Sequence, residues 1–197
     1  KIISVDRDTT FVDTSLTIRK EYRFNYLRKD TFELLRFSNT GQTYNRLSLA
    51  TVANSIFPTM GFAAKQFPYT AADEVTYYEV PTPFTEMFYK TVMEQGQTTD
   101  ILFTTNTSPR FNFSISFKGI RSLGKYQHIL TSGGQFRFTS NYRSPNERYF
   151  LRFHYENQHS DQEENGGLTA ESVTDFESED KEFDERAKLS VEYEDAV

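Results

Sequence analysis

The sequence predicts an all-β fold, and the type it favours is an antiparallel up-and-down transmembrane β-barrel. Apolar and polar residues alternate in runs such as RFNFSISFKG, residues 110–119. Mean hydropathy is only −0.65 although 16% of the residues are aromatic, as expected when the two faces of each strand differ sharply. Beyond residue 99, tight turns alternate with long loops, which is the rhythm of outer-membrane barrels. On this pattern alone, a soluble sheet with an aromatic core stays open as the alternative.

The composition excludes several other classes. The chain has 197 residues, a net charge of −6 and no cysteine, so a disulfide framework and Cys-based zinc sites are excluded. No run of about 18 apolar residues is present, so the sequence predicts no transmembrane helix. The chain begins at Lys1 without a recognisable signal peptide, and we therefore expect a processed or truncated product.

Residues 1–74 are interpreted as an N-terminal segment with early strands and irregular loops. VDRDTT predicts the turn of a short hairpin. Apolar side chains then fall on even positions from Leu16 to Tyr26, with Lys20 as the one break, and this predicts a strand over residues 15–27. Residues 28–74 are less regular and carry the Gly, Pro and Asn of loops.

Residues 75–197 are interpreted as consecutive antiparallel barrel strands with long loops at 118–134 and 157–186. Thr169 in the second loop is predicted to be the N-cap of a short surface helix. The predicted strands are VTYYEV (75–80), TEMFYKTVM (85–93), TDILFTTN (99–106), the run at 110–119, GQFRFTSNYR (134–143), RYFLRFHYEN (148–157) and RAKLSVEYE (186–194).

The two faces of these strands define the candidate site residues. In a barrel, the apolar row faces lipid and the polar row faces a hydrated lumen. The lipid-facing candidates are Phe111, Phe113, Ile115, Phe117, Phe136, Phe138, Leu151, Phe153 and Tyr155. The pore-lining candidates are Asn112, Ser114, Ser116, Lys118, Arg137, Thr139, Asn141, Arg152, His154, Glu156, Lys188 and Glu192.

Charge on the polar row suggests one hypothesis about selectivity. Lys118, Arg137 and Arg152 would give the inner wall a positive potential and favour anionic solutes. The alternative is that these side chains pair with carboxylates on other strands. A basic stretch with aromatics also occurs in single-strand nucleic-acid binders, but here the charges alternate regularly with an apolar face, so no nucleic-acid partner is predicted.

Motifs for catalysis or metal binding are weak. DQEENGG (residues 161–167) begins like an EF-hand loop, but its twelfth position is Ser172 instead of the bidentate Glu. The three histidines have no metal-type spacing, and nothing around Ser116, His154 and Glu156 supports a hydrolase triad. We therefore predict no enzyme, no cofactor and no metal.

Several segments together resemble the putative porin family of Bacteroidetes-type outer membranes. They are FNYLRKDTFELL (24–35), FSNTGQTYN (37–45), FNFSISFKGIRSLGKYQHILTSGG (111–134) and EENGGLT (163–169), with KGIRSLGKYQHILTS (118–132) the most specific part. The resemblance covers nearly the whole chain and implies a β-barrel in the outer membrane with a channel role. Members of this family are several times longer, so we expect this chain to be an incomplete, N-terminal part of a larger barrel.

Three functions follow as hypotheses. The first is a porin-like barrel that allows passage of small hydrophilic solutes, with outer-membrane lipid around it. The second is an accessory or structural barrel subunit whose long loops dock another outer-membrane protein or lipoprotein. The third is a soluble periplasmic β-protein that binds glycans through exposed aromatic side chains.

Overall fold

The computed structural model describes residues 1–13, 15, 17–47, 67–92 and 95–194. A 3-10 helix covers Ile18–Arg23, and two short α-helices follow the last strand, α1 (Ala170–Glu177) and α2 (Phe183–Arg186). The strands are β1 (Ile2–Ile3), β2 (Thr9–Thr10), β3 (Leu34–Arg36), β4 (Tyr44–Arg46), β5 (Tyr77–Tyr78), β6 (Phe84–Val92), β7 (Gly96–Ser108), β8 (Phe111–Ser122), β9 (Thr131–Arg143) and β10 (Phe150–Gln162).

The dominant element is a five-stranded sheet in the order β10-β9-β8-β7-β6. Every neighbouring pair is antiparallel and consecutive in the chain, so the strands run up and down as a meander. This confirms the all-β, antiparallel up-and-down fold class. Within the described residues the sheet is open, with β6 and β10 at its two edges.

The strands are longer than the alternation alone predicts. β7, β9 and β10 each contain 13 residues, whereas about 9–11 tilted residues span a bilayer. Tight turns join them at one end. The β9–β10 turn closes when Glu147, whose φ is +55°, donates its backbone N–H to the Ser144 carbonyl at 3.0 Å. The Ser144 hydroxyl also donates a hydrogen bond to the Asn146 side-chain oxygen at 2.8 Å, which stabilises the turn.

Long connections follow β8 and β10 at the opposite end of the sheet, where only three positions separate β6 from β7. Because β8 and β9 extend further than expected, the loop between them covers only residues 123–130. After β10, Thr169 caps α1 by accepting a hydrogen bond from the Ser172 backbone N–H at 3.4 Å, which confirms the predicted N-cap. No helix among the described residues is long and apolar enough to cross a membrane.

The N-terminal region forms two small sheets. β1 pairs with both β2 and β5, and Ile2 lies opposite Thr10, which confirms the hairpin through VDRDTT. β3 and β4 form a separate hairpin. β5 lies against β8 and β9, so this region rests on one face of the main sheet. Its apolar core is small and consists of Ile3, Val75 and Tyr77.

The predicted strand over residues 15–27 is wrong, because this segment contains the 3-10 helix. The backbone N–H of Lys20 donates to the Thr17 carbonyl at 3.1 Å, and the Lys20 ammonium lies 2.7 Å from the Asp13 carboxylate. These local bonds fold the chain just where Lys20 interrupts the alternation. Leu16, the first residue of the alternating row, lies outside the described residues.

The predicted strand over residues 186–194 is also wrong. Its first residue ends α2, and the Ala187 backbone N–H donates to the Phe183 carbonyl at 2.9 Å. Only Val191 makes a β-bridge, to Leu168. A short alternating segment is not stable as a β-strand unless a neighbouring strand pairs with it along its length.

Candidate lumen-facing wall

Strand register separates the main sheet into two chemically different faces. Ser114 lies opposite Thr104 on β7 and Thr139 on β9, and the same even-numbered alternation continues along β8. We call this face the polar wall. Its polar members include Glu86, Thr98, Asp100, Thr104, Asn106, Asn112, Ser114, Ser116, Lys118, Ser122, Thr131, Gln135, Arg137, Thr139, Asn141, Arg152, His154, Glu156, Gln158 and Gln162. The register also places the apolar residues Phe84, Phe88, Leu102, Ile120 and Phe150 on this face.

The opposite face carries the aromatic and aliphatic side chains and is called the ring band here. Ile115 lies opposite Phe103 and Phe138, and Phe138 lies opposite Tyr155, so apolar rows cross the whole sheet. The band consists of Met87, Ile101, Phe103, Phe111, Phe113, Ile115, Phe117, Phe136, Phe138, Tyr142, Leu151, Phe153 and Tyr155. All nine lipid-facing candidates fall on this face.

Exposure is the reverse of that in a globular sheet. Leu151 is 63% exposed and Phe153 52% exposed, whereas Asn112 and Ser114 on the polar wall are each 2% exposed. A soluble protein buries its large apolar side chains and leaves Asn and Ser at the surface. The rings of the band contact one another along the face, for example Phe138 and Phe153 with centroids 6.4 Å apart. The ring band therefore has no covering layer in the described chain.

The ring band ends before the strands do. Beyond Phe117, towards the long loops, the same face carries polar or very small residues on β7 to β10, and Tyr89 on β6 is a large ring at this level. This polar fringe consists of Gln97, Thr99, Gly119, Arg121, Ser132, Gly134, Asn157, His159 and Asp161.

Hydrogen bonds tie the polar wall together. The Asn112 amide donates to the Asn106 side-chain oxygen at 2.7 Å and to the Thr105 carbonyl at 3.0 Å. The hydroxyls of Ser114 and Thr139 are 2.5 Å apart. Buried, hydrogen-bonded side chains of this kind are held in fixed rotamers. The wall is therefore preorganised around Asn112 and Ser114, whereas Thr98 Oγ1 and Arg152 Nε are buried without a hydrogen-bond partner among the described residues.

Charges on the polar wall alternate in sign across strands. The register places Lys118 directly opposite Asp100, and Arg137 directly opposite Glu156. Directly opposed side chains in antiparallel strands lie close enough to interact. Arg137 also donates to the Ser116 hydroxyl at 3.4 Å. Of the three basic residues Lys118, Arg137 and Arg152, the first two therefore have a carboxylate opposite them on a neighbouring strand.

Asp100 and Asn106 were missed as members of this wall by reasoning from the sequence. The signal was available, because TDILFTTN alternates Asp100, Leu102, Thr104 and Asn106 on one face. Two pore-lining candidates, Lys188 and Glu192, do not belong to the wall. Both are exposed and lie after α2, outside the five-stranded sheet.

The N-terminal region lies over the polar wall, and we call its described residues, 1–13, 15, 17–47 and 67–80, the N-terminal cover. The hydroxyl of Tyr77 lies 2.9 Å from His154 Nδ1. The Lys118 ammonium lies 4.7 Å from the centre of the Tyr26 ring, a cation–π contact. The cover is the reason why Ser114 and Thr139 are buried.

Burial lowers the acidity of three tyrosines in the N-terminal cover. It raises the pKa of the Tyr26 hydroxyl, with smaller contributions from Tyr44 and Asp100. It also raises the pKa of Tyr44 and of Tyr77. Desolvation disfavours the phenolate, so these side chains are held in their neutral, hydrogen-bonding form.

The loop between β3 and β4 makes the most specific contacts between cover and wall. The Asn39 amide donates to the carbonyls of Ser122 at 3.0 Å and Ile129 at 2.7 Å, and the Ser122 hydroxyl donates to Asn39 Oδ1 at 2.6 Å. The Thr131 hydroxyl donates to the Thr40 carbonyl at 2.6 Å. No periodic signal in the sequence identifies these residues as a site, because the bonds join positions 83 to 91 apart.

Gly41 in the same loop has no substitute that fits. Its φ is +96°, a conformation that residues with a Cβ rarely adopt. A Cβ at this position would also lie 2.9 Å from the Thr131 hydroxyl and 3.2 Å from the Ile120 side chain. The backbone can therefore approach the wall this closely only at glycine.

Comparison with known protein families gives a match over the whole sequence. The sequence model of the family described as "Putative porin" matches residues 1–197. No curated protein and no solved structure matches the chain.

Proposed function

Because the chain belongs to this porin family, we propose that it forms part of an outer-membrane β-barrel that lets small hydrophilic solutes pass. Family membership supports a porin-like function in the outer membrane in general. The solute passage, and the assignment of the two sheet faces to lipid and lumen, are our proposal.

The single observation that carries the proposal is the inverted arrangement of the sheet. Aromatic rows lie bare on one side, and a hydrogen-bonded polar wall lies on the other. Fully burying a large apolar side chain stabilises a protein by about 1.5–3 kcal/mol, so a row of bare rings is costly in water. Hydrocarbon around the ring band removes that cost. The glycan-binding alternative explains exposed rings but not the buried polar wall.

In this proposal the ring band contacts outer-membrane lipid and the polar wall faces the lumen. The pore-lining residues include the ten candidates that the register places on the wall: Asn112, Ser114, Ser116, Lys118, Arg137, Thr139, Asn141, Arg152, His154 and Glu156. Asp100 and Asn106 are added to this set because the register places them on the same wall. Since Lys118 and Arg137 face carboxylates, we expect only weak ion selectivity.

The experiment is conductance of the purified full-length protein in planar lipid bilayers. We expect ohmic steps, and a reversal potential that Arg137→Ala shifts only slightly. Extraction of the envelope gives the control: the protein should leave the membrane with detergent and not with high-salt buffer. Release by salt alone would contradict the barrel and favour the glycan-binding alternative.

The accessory role is the second candidate, because the two long connections contact each other. The Lys125 ammonium lies 3.1 Å from the Asp184 carboxylate, and the rings of Tyr126 and Phe183 are 6.4 Å apart. The Asn165 amide also donates to the Gln127 carbonyl at 2.9 Å. This gives an ordered surface for another outer-membrane protein or lipoprotein. A protein that stays silent in bilayers and copurifies with one fixed partner would favour this role.

A further inference from the structure

We propose that the N-terminal cover is a resident plug, seated on the lumen side of the barrel wall, whose release opens the solute path. The inference rests on the proposed function, because a plug has meaning only if the polar wall faces a lumen. It goes further by naming the part of this chain that occupies the lumen and the contacts that hold it there.

The first anchor lies at the long-loop end of the sheet. There, side chains of the wall bind the backbone of the cover: Thr131 donates to the Thr40 carbonyl, and the Gln162 amide donates to the Gly41 carbonyl at 2.9 Å. Asn39 reaches the other way and donates to two wall carbonyls. Bonds in both directions fix the loop in one position, and Asn39 is only 2% exposed.

The second anchor lies nearer the tight turns. The Arg152 guanidinium donates to the Ser4 carbonyl at 3.3 Å and lies 5.7 Å from the centre of the Tyr77 ring. The Tyr77 hydroxyl contacts His154. The backbone N–H of Val80 donates to the Asn106 side-chain oxygen at 3.1 Å. The cover is therefore held at both ends of the polar wall.

Between the anchors, the cover meets the charged and amide groups of the wall. Arg28 forms an ion pair with Glu86, and its Nε lies 3.7 Å from the Asp100 carboxylate. The Gln158 amide donates to the Thr70 carbonyl at 2.9 Å, and the Gln135 amide donates to the Thr70 hydroxyl at 2.7 Å. The groups that would otherwise meet solutes are thus occupied by the chain itself.

The chemistry of this contact suits a segment that leaves and returns. Among the described residues, hydrogen bonds of Asn39, Thr131, Gln135, Gln158 and Gln162 and the ion pairs of Arg28 join cover and wall, and the apolar cluster of Ile3, Val75 and Tyr77 in the cover is small. Water can replace hydrogen-bonding partners when the cover leaves, whereas an apolar contact would expose its surface at full cost. A polar plug on a polar wall is therefore specific without being permanent.

The test joins the cover to the wall reversibly in the full-length protein. Asn39→Cys and Ser122→Cys place thiols where two side-chain atoms now lie 2.6 Å apart, within reach of a short, reducible bifunctional thiol reagent. These 197 residues contain no other cysteine. The control pair is Asn39→Cys with Phe136→Cys, because Phe136 lies on the opposite face. The parent protein treated with the reagent controls for effects elsewhere.

We expect the first pair to link and the control pair not to link. Linked protein should conduct several-fold less in planar bilayers than the same sample after reduction. Asn39→Ala should raise the conducting fraction by about tenfold, since a change of about 1.4 kcal/mol in docking corresponds to that factor.

Three other outcomes overturn the proposal. Equal conductance before and after reduction would remove the plug and leave the porin function intact. Linking of the control pair instead of the first pair would show that the cover is not docked on the polar wall. Silence of every variant, including one that lacks residues 1–47, would remove both the plug and the channel.

Discussion

The five-stranded sheet and the N-terminal cover are each stabilised by a different kind of interaction. The sheet is built from long consecutive ladders, and its backbone bonds repeat from β6 to β10. The cover has strands of only two or three residues, and individual side chains such as Asn39 attach it. Changes to the sheet should therefore affect assembly in the membrane, whereas changes to the cover should affect docking alone.

The largest effect is expected from a charge in the middle of the ring band. Ile115→Lys should destabilise the folded protein in lipid by about 2–4 kcal/mol, because an ammonium at the bilayer midplane loses its hydration. The measurement is urea unfolding of the full-length protein in lipid vesicles. Ser116→Lys is the matched control on the polar wall: its row holds Glu86 and Glu156, but Ser116 also lies directly opposite Arg137, so we expect a small loss there and a larger one at Ile115.

Equal losses from the two lysine substitutions would contradict the separation of faces. A loss confined to Ser116→Lys would mean that the lipid and lumen sides are exchanged.

Removing the Asn39 side chain should release the cover and leave the sheet intact. Asn39→Ala removes the hydrogen bonds that the Asn39 amide donates to the Ser122 and Ile129 carbonyls, which costs about 1–3 kcal/mol where water cannot enter. Hydrogen exchange of the β3 and β4 amides measures this loss, with the β8 amides as an internal reference. Asn45→Ala is the control, because Asn45 is exposed on β4 and should change little. Faster exchange in β8 as well would show that the cover and sheet unfold together.

Two glycines separate backbone strain from close approach to the wall. Gly41 and Gly167 have nearly the same φ, +96° and +98°, but only a Cβ at Gly41 would meet other atoms within 4 Å. Gly41→Ala should cost about 1 kcal/mol more than Gly167→Ala, because it also disturbs the hydrogen bond from Thr131 to Thr40. Comparison of local opening free energies by hydrogen exchange decides the point. An equal cost would leave strain as the whole explanation.

The smallest effect concerns Tyr77 and alkaline pH. Its pKa is raised by burial, so the folded state favours the neutral phenol and its contribution to docking is complete below the unfolded value of about 10. That contribution is lost as the pH rises through the higher folded pKa. Tyr77→Phe should weaken docking by about 0.5–1 kcal/mol at neutral pH, through loss of the contact with His154, and should flatten the alkaline decline.

Hydrogen exchange of β5 and tyrosinate absorbance follow this pH dependence together. Tyr149→Phe is the control, because Tyr149 is exposed in the turn between β9 and β10. An unchanged alkaline decline in Tyr77→Phe would assign the pH dependence to Tyr26 or Tyr44.

Strand alternation made the main sheet predictable. Once Phe111, Phe113, Ile115 and Phe117 share a face, antiparallel pairing forces the aromatic rows of β9 and β10 onto it. The same reasoning failed for residues 15–27 and 186–194. There, local hydrogen bonds such as those of Lys20 and Ala187 bend the chain, and in the described part of the chain no long strand pairs with either segment.

The N-terminal cover was beyond sequence reasoning for a different reason. Its contacts join Asn39 to Ser122, Tyr77 to His154 and Ser4 to Arg152, across 77 to 148 positions. Each contact is a single polar side chain that meets one atom, so it leaves no period in the sequence. A residue such as Gly41 looks like any loop glycine until the wall behind it is known.

The polar fringe determines from which side of the membrane a soluble protein can reach the plug. From Phe117 to Ser122, β8 rises about 16 Å further along its own direction, and Ser122 holds Asn39 at that height. If the rings mark the level of the hydrocarbon, this fastening stands in the aqueous phase beside the long loops. A protease or an antibody on that side of the membrane would reach the contact between Asn39 and Ser122 without crossing the bilayer. One on the other side would not reach it.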